Sequence, residues 1–144
     1  PGEEEKMESE TRKILGVNIL ISAHTNRVAV VDGHTESISV GLRKKATPEQ
    51  AAEALAAFRA PADVEALPSS PRPPIVVHAQ ADRPQPRLDV GLGHGMQISI
   101  GRVRACPILD IRLTALGHNT IRGAAGAAVL NAELLVSKGL VPAR

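Results

Sequence analysis

The sequence predicts an α+β domain: a mainly antiparallel or mixed sheet with helices on one face. Two observations carry this reading. Runs with β-type composition recur along the chain, two of them with strict alternation. Helical periodicity appears at only three points, so the strands are not separated by regular crossover helices as a parallel α/β fold requires. With 144 residues the chain makes one domain. Its 43% hydrophobic and 22% charged content is that of a globular protein with a sizeable core.

Glu3 to Leu15 reads as an amphipathic helix, with Met7, Thr11, Ile14 and Leu15 on one face. Acidic residues open it, Arg12 and Lys13 stand near its end, and Gly16 stops it. Val17 to Ala23 and Arg27 to Val31 are β-type runs. From His34 to Arg43 the alternation sets Ile38, Val40 and Leu42 against Ser37, Ser39 and Gly41. A second helix follows: Thr47 as N-cap, Pro48 at the first helical position, Gln50 completing a capping box, and Ala51, Leu55 and Phe58 as its apolar stripe.

Residues 60–95 are proline-rich and irregular, with one strand candidate at Ile75 to His78. Strands return at Met96 to Arg104 and Ile108 to Leu116. A closing helix runs from about Thr120 to Lys138, capped by Gly139 and stopped by Pro142. That helix is apolar on nearly every side and rich in small residues, so it calls for partners all round. Together with a start at Pro1-Gly2 and no initiator Met, this leads us to expect a piece of a longer protein.

Composition excludes several functions. Lys and Arg exceed Asp and Glu by only two charges, and Phe58 is the sole aromatic, which argues against nucleic-acid binding. One cysteine, Cys106, rules out an intrachain disulfide, and five histidines without a paired spacing argue against a metal site. No segment is long and apolar enough for a membrane span, and none resembles a signal peptide. A cytoplasmic protein is therefore expected.

The strand parity of His34 points it inward at the rim of the sheet, where a general acid or base is often found. Arg27 offers a planar fork for a carboxylate. On spacing alone, a hydrogen-bonded core histidine beside a surface arginine is the commoner arrangement, and Glu3 and Lys6 read more simply as a solvated, salt-bridged helix face. Gly91 to Gly95 precedes a strand, so it reads as a turn and not as a dinucleotide loop. Cys106, followed by Pro107 and without a basic partner in sequence reach, reads as a structural thiol. Arg83-Pro-Gln-Pro-Arg87 reads as an ordered connector with an anion contact.

Four stretches go further. Residues 1–7 (PGEEEKM), 26–36 (NRVAVVDGHTE), 83–89 (RPQPRLD) and 118–125 (HNTIRGAA) resemble, in this order, the aspartate-semialdehyde dehydrogenase family, with the archaeal and fungal branch nearest. The resemblance implies the C-terminal domain of a glyceraldehyde-3-phosphate dehydrogenase-like fold. It implies conversion of β-aspartyl phosphate to aspartate β-semialdehyde and phosphate with NADPH. Residue by residue, it implies His34 as acid/base, Arg27 as carboxylate clamp, Glu3 as amino-group contact and Lys6 as phosphate contact. Asn119 and Thr120 would lie by the nicotinamide of NADP.

It also implies that residues 1–144 form a substrate-binding and dimerisation domain, in a homodimer or homotetramer. The helix at about 120–139 would then pack on an NADP-binding domain preceding Pro1, which would carry the nucleophilic cysteine. The 144 residues alone are expected to be inactive. Two alternatives stay open: a malonyl-CoA reductase of the same superfamily, and a non-catalytic oligomerisation module.

Overall fold

The computed structural model describes residues 2–141. Its centre is a four-stranded mixed sheet in the order β1 (His34–Val40), β4 (Ile111–Gly117), β3 (Ile98–Ala105), β2 (Ile75–His78). β4 runs antiparallel to both β1 and β3, and β2 runs parallel to β3. Leu67, Met96, Ile100, Ile111 and Leu116 form the buried apolar core, so the core sits on and beside the two central strands. The α+β architecture is the one expected.

Local sequence explains the helices. α1 (Glu3–Leu15) ends at Gly16, whose φ of +63 is a left-handed conformation that glycine adopts without strain. α2 (Pro48–Ala57) has the complete capping box: Gln50 N–H donates to the Thr47 hydroxyl, and Thr47 N–H to the Gln50 side chain. Short helices α3 (Ala62–Glu65) and α4 (Pro86–Asp89) and a 3-10 turn (Leu92–Gly95) punctuate the proline-rich stretch. Strand β2 stands where expected.

Residues 17–31 correct the reading, because neither run there is a strand. They pair with no strand and lie along α1, held by side chains: Ala23 N–H donates to Glu8 Oε1 (3.0 Å), Thr25 N–H to Glu4 Oε1 (2.7 Å), and Arg12 Nε–H to the carbonyl of Ile19 (3.1 Å). β-type composition needs a partner edge to become a strand, and here the polar side of α1 takes the backbone groups instead. Leu20 and Val31 are fully exposed as a result, and the Met7–Ile14–Leu15 stripe of α1 is open too. Phe58 caps the end of α2 and is half exposed.

The closing helix begins differently from expectation. Residues Ile121–Ala125 form a π-turn, with Gly123 N–H donating to His118 O (2.9 Å) and Ala125 N–H to Thr120 O (3.0 Å). α5 (Gly126–Ser137) continues from it. A Cβ on Gly126 would collide with Met96 Sδ, so the small residue lets the helix start approach the core. Gly139 (φ +67) ends the helix as expected; Pro142 lies outside the described residues.

Candidate active site

His34 opens β1 and has Gly117, the last residue of β4, as its register partner. The junction is clasped by a hydrogen bond from Gly33 N–H to the side-chain oxygen of Asn119, 2.9 Å long and spanning 86 positions. Gly33 has φ +111, and a Cβ there would stand 3.0 Å from Leu116 Cδ1 and 3.2 Å from Val90 Cγ2; only glycine fits. A cleft of about 210 Å³ opens at this corner, lined among others by His34, Glu36, His118, Asn119 and Arg122. His34 is exposed at this rim and not turned into the core, which corrects the inward orientation read from strand parity. β1 is an edge strand whose residues are exposed up to Val40.

The start of α1 brings two more groups to the neighbourhood. Arg27 Nη2 lies 2.9 Å from Glu3 Oε2. This hydrogen bond and the Arg27 charge hold the Glu3 carboxyl below its ordinary pKa, and the nearby His34 adds to the effect. An exposed carboxylate–guanidinium pair beside an imidazole can receive a zwitterion, ammonium against Glu3 and carboxylate against Arg27. Lys6 is not drawn in: its Nζ points along α1 to Glu10, 3.7 Å away. Thr120 does not line the cleft; its hydroxyl lies 3.3 Å from His118 Nδ1.

Sequence reasoning missed His118, Glu36 and Arg122. Ile121 N–H lies 3.4 Å from His118 Nδ1. Only the register that sets Gly117 against His34 reveals that these side chains share a cleft, and no local motif encodes it.

Arg83 does contact an anion, one of its own chain. Its Nε donates to Asp89 Oδ2 (2.7 Å) and its Nη2 to Asp89 Oδ1. Gln85 N–H also donates to Asp89 Oδ2 (2.6 Å). Asp89 is 1% exposed, and the Arg83 fork followed by the Gln85 amide keeps its carboxyl ionised against the cost of burial.

Cys106 has what the sequence did not reveal. The turn 107–109 aims the backbone N–H groups of Leu109 and Ile108 at its sulfur and lowers its pKa, with further help from Ser39 and Arg112. The register nevertheless separates it from His34: Ser39 pairs with Arg112 and His34 with Gly117. Five residue steps along β1 make about 17 Å, so this thiol and His34 cannot share a reacting carbon. Among the described residues no group of His, Cys, Asp and Glu is arranged to hold a metal ion, and no helix is long and apolar enough to cross a membrane.

A sequence profile described as semialdehyde dehydrogenase, dimerisation domain, matches residues 1–122. The chain belongs to the semialdehyde dehydrogenase family. Within it, aspartate-semialdehyde dehydrogenases from Archaeoglobus fulgidus and Schizosaccharomyces pombe are 42% and 45% identical over 97% of this chain. A crystal structure of the Candida albicans aspartate-semialdehyde dehydrogenase with NADP superposes with a TM-score of 0.87 at 42% identity, covering 97% of this chain and 44% of that one. One of aspartate-semialdehyde dehydrogenase II from Vibrio cholerae, complexed with ASA, gives 0.77 at 31% identity, covering 92% of this chain and 36% of that one. This semialdehyde dehydrogenase domain spans 42–43% of the length of the curated relatives named above.

Proposed function

We propose that this domain is the substrate-binding and dimerisation part of an NADP-dependent aspartate-semialdehyde dehydrogenase. The observation that carries the reading is the Glu3–Arg27 ion pair next to His34, at the corner clasped by Gly33 and Asn119. An amino acid aldehyde has the two charges this pair can receive, and its aldehyde carbon then falls near an imidazole. Arg27 binds the α-carboxylate and Glu3 the α-ammonium. His34 takes up the proton lost from the aldehyde-derived oxygen on oxidation and returns it in the reverse direction. Lys6 serves as phosphate contact once its side chain leaves Glu10, to which it is only loosely held at 3.7 Å.

NADP, when bound, supplies the hydride acceptor. The residues present fit its nicotinamide end alone. Asn119 gives its side-chain oxygen to Gly33 and keeps its amide N–H groups as donors for a carboxamide oxygen, and Thr120 stands next to it. A dinucleotide loop between a strand and a helix is not found among the described residues; Gly91 to Gly95 leads from a short helix into β3. The nucleophilic thiol and the main nucleotide site therefore belong to another domain in this reading, and the 144 residues alone are inactive. α5 supports the arrangement, since Val129, Leu135 and Val136 are about half exposed, as on a helix that docks against a further domain. The exposed Ile38 on edge strand β1 and the dimerisation-domain match support a homodimer as the smallest active assembly.

The test is phosphate-dependent reduction of NADP by the dehydrogenase containing this domain, with aspartate β-semialdehyde as substrate and this chain assayed beside it. An active enzyme and an inactive chain are expected. Turnover that requires coenzyme A in place of phosphate would move the assignment to a malonyl-CoA reductase. No turnover with either acceptor would leave an oligomerisation module.

A further inference from the structure

At the end of the sheet farthest from His34, three strands set Ser39, Arg112 and Arg104 in one row: Ser39 is the register partner of Arg112, and Arg112 of Arg104. Directly opposed residues of antiparallel strands project from the same face with Cβ atoms about 4.5–5.5 Å apart, so two guanidinium groups start side by side next to a hydroxyl. Arg102 adds a third cation from the bulge between Gly101 and Arg104, where its φ of +55 is a left-handed conformation that non-glycine residues keep only under constraint. Among the described residues no ion pair includes Arg102, Arg104 or Arg112. Two acidic groups stand at this end: Asp110, engaged by Lys45 and by the N–H of Leu42, and Cys106, whose sulfur takes a hydrogen bond from Ser39 and feels the charge of Arg112.

Like charges directly opposed weaken a strand pair, so the arrangement calls for a counter-charge. Arg104 is half-buried, and burial together with the charges of Arg102 and Arg112 pushes its pKa down, which an anion between the two forks would reverse. One arm of Arg104 donates to the carbonyl of Arg102 (3.3 Å), leaving its other N–H groups for a ligand.

We propose that Arg104 and Arg112, with Ser39 beside them, form a binding site for a tetrahedral oxyanion of phosphate type. A planar carboxylate is satisfied by one fork, whereas two neighbouring forks offer donors to several oxygens and match a dianion. Inorganic phosphate and the phosphoryl group of a larger metabolite share this chemistry. The site lies about 17 Å from His34, five residue steps along β1, and does not depend on the proposed reaction.

The experiment is ¹⁵N NMR of the 144-residue chain, titrated with inorganic phosphate or adenosine 5′-monophosphate against chloride at matched ionic strength. Saturable shifts are expected at Ser39, Arg104 and Arg112. They should weaken about tenfold in Arg104→Gln and Arg112→Gln, each of which removes a charge-assisted contact, and persist in Lys6→Gln. The tighter of the two probes identifies the source of the anion. Shifts that follow ionic strength alone, or that survive both arginine variants, would overturn the site. So would shifts that respond to protein concentration and not to phosphate, since those arginines would then face carboxylates of another copy.

Discussion

Gly33 and Asn119 join the two ends of the candidate site: the amide of the residue before His34 is held, at 2.9 Å, by the side chain that begins the turn into the last helix. His34 is thus tied, through the residue before it, to the segment proposed to meet the nicotinamide. Removing the acceptor strands a part-buried N–H, which costs about 1–3 kcal/mol. Asn119→Ala should therefore lower unfolding stability by that amount in a denaturant titration of this chain. Asn119→Asp keeps an acceptor oxygen and should retain most of the stability while losing the amide donors. A dehydrogenase carrying Asn119→Asp should then show a raised KM for NADP. Equal destabilisation by both substitutions would refute the bridging role.

Within the same enzyme, His34 and Arg27 should fail differently. His34→Asn removes the proposed proton carrier and should lower kcat by roughly 10²–10⁴. Arg27→Leu removes the proposed substrate fork and leaves Glu3 without its partner, so its main effect should be a higher KM for aspartate β-semialdehyde. Steady-state kinetics separate the two; wild-type constants in both variants would show that the residue assignments are wrong.

Much of this architecture was readable from local chemistry. The limits of α1, the capping box at Thr47, strand β2 and the glycine at position 139 follow from residues that act within one turn of themselves. What escaped prediction depends on partners far away in sequence. Residues 17–31 have the composition of strands but lie beside Glu4 and Glu8 of α1 instead of a free strand edge. The π-turn at 121–125 arises where Gly126 meets Met96, thirty positions earlier. The same holds for the site. Glu3, Arg27 and His34 stood out in the sequence, took their roles from the resemblance and are neighbours in space, whereas His118, Glu36 and Arg122 enter the cleft only through the β1–β4 register.

Cys106 provides a direct check on that register. Its turn amides favour the thiolate, so the thiol should be alkylated by iodoacetamide faster than a free cysteine below pH 8, without a denaturant. Yet it stands about 17 Å from His34. Cys106→Ser should leave the phosphate-dependent activity proposed for the dehydrogenase unchanged. Loss of activity in that variant would mean that the sheet brings the thiol to the reacting carbon after all.

The buried Arg83–Asp89 pair should control stability in acid. The Arg83 fork and the Gln85 amide lower the folded-state pKa of Asp89 below its value in the unfolded chain, about 3.9. A depressed carboxylate pKa adds stability that is fully present above the unfolded value and is lost as pH falls through the folded one. The contribution is thus constant near neutral pH and drains away below about pH 4. Thermal unfolding of this chain should show a falling midpoint in that window. Asp89→Asn should lower the midpoint at neutral pH, because the Arg83 guanidinium loses its carboxylate, and should flatten the dependence on acid. His78, whose Nε2 lies 3.8 Å from Asp89 Oδ1, is the other group facing the carboxylate. His78→Gln separates the two contributions: if the acid slope tracks Asp89, it should survive this substitution and vanish in Asp89→Asn. A slope unchanged by Asp89→Asn would assign acid unfolding to other carboxylates, with Glu3, Asp63 and Asp110 as the next to test, since their partners also hold them below the ordinary range.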